Sequence, residues 1–330
     1  MCHDRPSKKV PGIDPAGLLE FHRFLLGDTH TRLSLYQQAL AAHVRPGDTV
    51  LDLGSGTGIL AFLACIAGAA RVYAVEEKPS LEFGKLLARA NGFDDRIVFI
   101  DGRSDEIDLP APVDVIVSDT YGTFGLQKDG LHAAIDARRR WLKPGGTMIP
   151  HAIELFLTPI ESSATYETHV GFWDRQVVGV DLSAVRTIAA NTRHTVRLND
   201  EMYLAAPARV ARLDLMKLES PGFQAETALT LRRDGMLHGF GGWFRAALTG
   251  DLTVSSDPTG STTNYAQTFF PVERPVGVFQ GDPLRLTLTS YDNMHWRWQA
   301  LLRGGLLSGA NFFGFLPSSI DSPAIHFKNR

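Results

Sequence analysis

The sequence is poor in cysteine, in long apolar runs and in net charge. Two cysteines, Cys2 and Cys65, stand in 330 residues. Cys65 lies in an apolar helical run and Cys2 in a polar stretch, so a disulfide scaffold and a multi-cysteine zinc site are excluded, and no metal site is expected. No stretch reaches the ~18 apolar residues that a membrane span requires. The segment MCHDRPSKKVPGIDP lacks the apolar core of a secretory signal. A formal net charge of −3 argues against the dominating basic stripe of a nucleic-acid binder. The expectation is a cytoplasmic protein with neither a membrane nor a nucleic-acid partner. Its 44% apolar and 21% charged residues are ordinary for a folded chain. Its length fits two domains at about 100–200 residues each.

Residues 1–45 read as an N-terminal helical segment. Apolar side chains recur at helical spacing from Leu18 through Phe21, Leu25, Leu33 and Tyr36 to Leu40. Gly27-Asp28 divides this run into two helices. From 46 to 150, short apolar strands at 49–53, 71–75, 97–100 and 113–117 alternate with helices. The last helix reaches Trp141 and stops at Pro144-Gly145-Gly146. This alternation predicts a parallel, doubly wound sheet. From 151 to 330 the texture changes. Ile153–Thr158, Ala228–Leu231 and Pro283–Thr289 alternate like half-buried strands. They predict antiparallel, barrel-like β structure, with a helical excursion at about 160–205.

The motif Val50-Leu51-Asp52-Leu53-Gly54-Ser55-Gly56-Thr57-Gly58 joins the first strand to a helix. Its glycines allow a sharp turn and close approach of a ligand to the backbone, at a helix N-terminus whose N–H groups point outward. Glu76 follows about 20 residues on, at the end of the second strand, where a carboxylate accepts both hydroxyls of a ribose. The G-x-G-x-G spacing and the acid Asp52 disfavour a pyrophosphate. They favour the zwitterionic methionine and sulfonium of S-adenosylmethionine. After the third strand, Ser104 and Asp105 stand where an adenine edge is expected to pair.

These and further residues resemble the protein arginine methyltransferase family over nearly the full chain. His22-x-x-x-Leu26-x-Asp28 with Arg32 and Tyr36 is similar to its N-terminal signature, with one extra residue between Asp28 and Arg32. Tyr73–Glu76 resembles its ribose-binding strand end, and Ser118 through Gly146 its active-site loop and helix. Val180–Ser183 resembles its dimerisation arm, and Thr263–Gln267 stands where its Thr-His-Trp loop belongs. The resemblance implies a Rossmann-like class I methyltransferase domain (46–150) and a β-barrel substrate domain (151–330) whose helical arm makes a homodimer. It implies S-adenosylmethionine as cofactor and S-adenosylhomocysteine as product. Arg32 would hold the methionine carboxylate with His22 beside it. Gly54 and Gly56 would cradle the methionine backbone, Glu76 would take the ribose and Asp105 the adenine.

The acceptor side departs from the family. Its two active-site glutamates are replaced by Asp119 and Lys128, and the His and Trp of its third element by Asn264 and Tyr265. A guanidinium stays protonated below a pKa of about 12. A lysine ammonium ~4 Å away repels it by about 4 kcal/mol at an effective dielectric of ~20. The expectation is therefore a small-molecule acceptor that Lys128 recognises, Asp119 as general base, and Asn264 and Tyr265 orienting the acceptor. One alternative is a guanidine methyltransferase, on protein or free arginine, with a loop shift bringing Asp129 into the pocket. Another is a non-catalytic homologue that binds the cofactor.

Overall fold

The computed structural model describes residues 15–125, 129–260, 263–292 and 295–312. Five strands form the first sheet: β1 (Thr49–Leu53), β2 (Arg71–Glu76), β3 (Ile97–Asp101), β4 (Val113–Ser118) and β5 (Leu142–Ile149). All four pairings are parallel, in the order β3-β2-β1-β4-β5. Strands β1 and β4 are apolar and buried almost throughout because helices cover both faces. On one side lie α2 (Ser34–His43) and α3 (Ile59–Ala67), whose Tyr36, Leu40, Leu60 and Ala64 pack on Val50, Val72 and Val115. On the other, α5 (Gly130–Trp141) packs Leu131 and Trp141 on Leu51 and Ile116. Helix α1 (Pro15–Leu26) precedes this unit, and α4 (Ser80–Asn91) joins β2 to β3. Among the described residues no helix is long and apolar enough to cross a membrane.

Two local features depart from the sequence pattern. The extra residue between Asp28 and Arg32 is absorbed by a π-helical turn, Thr29–Leu33, capped by the Asp28 carboxylate on the Arg32 N–H. A π turn takes one residue more than an α turn, so Arg32 still points into the site. Helix α5 ends at Trp141, and Pro144-Gly145-Gly146 lies inside β5. β5 is the edge of its sheet, where a proline lacking an N–H is tolerated.

The second half forms two antiparallel sheets. The larger runs β10-β6-β12-β14-β9, with β13 paired to β12. These are β6 (Ala152–Ile160), β9 (His194–Val196), β10 (Ala208–Asp214), β12 (Gly235–Thr249), β13 (Leu252–Ser255) and β14 (Gln267–Val278). The smaller runs β11-β15-β16-β17, which are β11 (Phe223–Thr230), β15 (Pro283–Ser290), β16 (His295–Leu302) and β17 (Gly305–Phe312). Alternate inward residues such as Leu155, Leu157, Leu286 and Leu288 fill the space between them. The same core continues through Phe244 and Phe270 to Tyr121 and Phe124 beside β4, so barrel and parallel sheet share one apolar interior. The excursion holds α6 (Ser163–His169), the hairpin β7 (Gln176–Val177) and β8 (Val180–Asp181), and α7 (Arg186–Ala190).

Candidate functional site

The strand order reverses between β1 and β4, and a crevice opens beyond their carboxyl ends. A cavity of about 630 Å³ occupies it. Its walls are the glycine loop, the ends of β2, β3 and β4, the helix α1 and the barrel residues Thr195, Arg197, Asn264 and Tyr265.

The glycine loop is shaped by backbone geometry. Gly54, Gly56 and Gly58 have φ of 74°, 56° and 80°, which side chains disfavour. A Cβ at Gly54 would lie 2.5 Å from Thr120 Cγ2, and one at Gly56 would lie 3.0 Å from His22 Cε1. Glu76 Oε2 accepts from the Gly56 N–H at 2.8 Å and Oε1 from the Lys78 N–H at 3.0 Å. Burial raises the Glu76 pKa above the ordinary carboxylate value. Burial lowers that of His22, with Lys78 adding to the effect. Arg32 and Ser55 line the cavity, and among the described residues the buried Ser55 Oγ and Arg32 Nε have no hydrogen-bond partner, although Arg32 Nε lies 3.9 Å from Asp28 Oδ2. A cationic Arg32, a glycine cradle and a strand-end carboxylate on one wall fit the amino-acid and ribose parts of S-adenosylmethionine.

Asp119, just past β4, is the most heavily engaged carboxylate. Its Oδ2 accepts from Arg32 Nη1, and its Oδ1 from the Tyr265 hydroxyl and, at 3.2 Å, from the Tyr36 hydroxyl. Arg32 Nη2 donates to the Leu25 carbonyl. Burial raises the Asp119 pKa, opposed by Arg32 and the phenols.

Several expected roles need correction. Asp52 is fully buried beneath the glycine loop and absent from the cavity wall. Its Oδ2 accepts from the Ala61 N–H at 3.0 Å in the first turn of α3, so it serves the helix rather than a ligand. Burial pushes its pKa up to about 8. Asn264 lines the cavity, but its amide N–H groups are engaged away from an acceptor. Its side-chain amide donates to the Phe24 carbonyl, and its N–H donates to Asp28 Oδ2 at 3.0 Å. It fastens the barrel loop to the end of α1. The Tyr265 phenol is held on Asp119. Lys128 lies outside the described residues. Asp129 borders the cavity, but its carboxylate accepts from Arg103 at 2.8 Å rather than joining Asp119.

Ser104 and Asp105 line the cavity. The Asp105 carboxylate is held by Arg103 at 3.1 and 3.2 Å. Arg103 thus ties Asp105 to Asp129, a link no local pattern announces. Arg197 was also missed: it reaches from beyond β9 to the carbonyls of Tyr265 (2.7 Å) and Asn264 (3.1 Å). Tyr36 belonged to the N-terminal signature, yet its contact with Asp119 had no signal in the sequence. His132 is exposed on α5. Trp243 and Trp296 are core residues, and His295 sits on Asp292 at 2.6 Å.

Residues 50–146 match a family model described as a methyltransferase domain, and residues 151–300 match one described as the arginine methyltransferase oligomerization subdomain. The chain is 32% identical over 334 residues to protein arginine N-methyltransferase 6 of Xenopus laevis, covering 94% of this chain and 96% of that protein. It is 33% identical over 244 residues to a probable protein arginine N-methyltransferase 6.2 of Oryza sativa subsp. indica, covering 71% of this chain and 61% of that one. Arabidopsis thaliana protein arginine methyltransferase 10 superposes with a TM-score of 0.74 at 26% identity, covering 89% of this chain and 97% of that chain. The Trypanosoma brucei PRMT1 enzyme–prozyme complex with AdoHcy superposes with a TM-score of 0.79 at 22% identity, covering 91% and 100%. These relatives are named for protein arginine, which overturns the expectation of a small-molecule acceptor.

Proposed function

Because this chain belongs to the protein arginine N-methyltransferase family and is an S-adenosylmethionine-dependent methyltransferase, we propose that it methylates a guanidinium nitrogen of protein arginine. The observation that carries this reading is the environment of Asp119. This carboxylate borders the cavity and already holds one guanidinium, that of Arg32.

Bound in the cavity, S-adenosylmethionine supplies an electrophilic methyl group on a sulfonium. His22, Arg32, Gly54, Gly56, Glu76, Ser104 and Asp105 form its side of the site. Arg32 would face the methionine carboxylate from the cavity wall, and Glu76 would accept from the ribose hydroxyls. A carboxylate offers about four acceptor directions. Arg32, Tyr36 and Tyr265 take three at Asp119, and the fourth remains for a substrate guanidinium. A charge-assisted bond there orients the nitrogen and draws its proton. Burial makes Asp119 a better proton acceptor than an exposed carboxylate, which suits it to take that proton late in the transfer.

The active form is a homodimer made through the excursion between β6 and β9. Val178 is 97% exposed and Val180 57% exposed on its hairpin, with Phe172 and Ile188 also outward. Val178 has a φ of 47°, a conformation costly for a β-branched residue. An apolar side chain held exposed at such a position suits burial against a second copy.

The test is incubation with methyl-labelled donor and an arginine-containing peptide, against the same peptide with every arginine changed to lysine. Label in the first alone is expected. Label in neither, with donor bound, would favour a non-catalytic binder.

A further inference from the structure

Three arginines, none of them lining the donor cavity, gather on the outer face of the larger barrel sheet. Arg209 and Arg212 come from β10 and Arg245 from β12. All three converge on Glu154 of β6, at 2.7, 3.6 and 4.0 Å. Three guanidiniums and one carboxylate leave two positive charges in excess. Among the described residues, no other carboxylate lies within 4.0 Å of any of them. The three arginine side chains are 54%, 43% and 42% exposed.

The backbone aims this cluster. Residues three apart on a regular strand face opposite sides, yet Arg209 and Arg212 meet one carboxylate. The register of β10 against β6 shifts between Arg209 and Ala211, and this bulge turns both arginines to the same face. Arg245 is fixed differently. Its guanidinium lies over the Phe156 ring, 5.2 Å from the centroid. Phe156 stacks on Trp243 at 6.1 Å and Trp243 on Tyr203 at 5.8 Å. Charges that only guard an open rim belong on an edge strand. β10 ends the sheet, but at Arg245 β12 is interior, flanked by β6 and β13, so Arg245 guards no rim.

We propose that this face is a docking surface for an acidic segment of the protein acceptor, remote from the arginine being methylated. The guanidinium fork binds carboxylates in a bidentate way, and a cluster fixed on a sheet meets an extended Asp/Glu run with little ordering cost. A nucleic acid would need a longer basic stripe than two excess charges provide, and the whole chain carries −3. The docking rests on the protein-arginine reading and adds a preference among proteins.

The test uses two peptides sharing one arginine-containing sequence. One is extended through a flexible linker by a run of Asp and Glu, the other by Ser and Gly of equal length. At low salt the acidic peptide should show a KM about three- to tenfold lower, with equal kcat. The advantage should vanish in Arg209→Ala/Arg212→Ala and at about 0.5 M salt. Glu154→Gln removes the one negative charge and should enlarge it, a gain that misfolding does not produce. Fluorescence anisotropy of a labelled acidic peptide lacking arginine reads docking without catalysis. Binding lost in the double variant supports the surface, even if neither arginine peptide is methylated, in which case the catalytic reading alone fails. Equal KM values and no anisotropy change overturn the docking surface. An oligonucleotide that displaces the labelled peptide better than unlabelled peptide of equal charge overturns the acidic-protein partner.

Discussion

Arg32 and Asp119, 87 residues apart in the chain, form a buried ion pair at the cavity wall, with side chains 4% and 11% exposed. The pair joins the π turn before α2 to the end of β4, and with Tyr265 it also draws in the barrel loop. Arg32→Ala leaves the carboxylate with two phenols and no cation. Breaking a buried pair costs about 3–5 kcal/mol. The phenols compensate in part, so a loss near ~3 kcal/mol is expected in urea denaturation. An unchanged midpoint would show that the pair does not hold the site together.

Asp52 sets a pH dependence of stability. Its folded pKa, about 8, lies above the ordinary value of 3.8 that it takes in the unfolded chain. A raised folded pKa means that the native state keeps a proton the unfolded chain has lost. The stability this contributes is full below about pH 4 and is lost as pH rises towards about 8. Asp52→Asn keeps an acceptor for the Ala61 N–H and removes the titration. Denaturation midpoints across this window should fall less steeply in the variant. Parallel slopes in variant and wild type would refute the assignment.

Gly54 tests the cradle. At a φ of 74° a side chain is strained, and its Cβ would crowd Thr120. Strain of about 1–2 kcal/mol predicts that Gly54→Ala weakens donor binding roughly tenfold by calorimetry. Full affinity in the variant would mean that the loop does not contact the donor as described.

Val178 tests the arm. Asn tolerates a positive φ better than valine and removes the apolar contact. Val178→Asn should therefore leave monomer stability equal or higher while shifting light scattering from dimer towards monomer. A dimer of unchanged affinity would place the interface elsewhere.

The glycine loop, the alternation of strands and helices, and Glu76 were legible because each is local: a few neighbouring residues fix backbone shape and burial. The one-residue excess before Arg32 was legible as a count, though not as a π turn. What stayed hidden depended on distant partners. Asp52 faces a helix end rather than the cavity because the loop passes over it. Asn264 serves α1 through Phe24 and Asp28, more than 230 residues earlier. Asp105 and Asp129 share Arg103, a meeting set by the packing of α5 against the turn after β3. The small-molecule expectation came from the charge at position 128 alone, without the guanidinium that Asp119 already holds.

The most direct measurement is single-turnover methyl transfer to an arginine peptide by Asp119→Asn, alongside calorimetric titration of the donor. The variant should bind the donor within a few-fold of wild type and transfer its methyl about 10²–10⁴-fold more slowly. Transfer to arginine at the wild-type rate would contradict the assignment of the acceptor to Asp119.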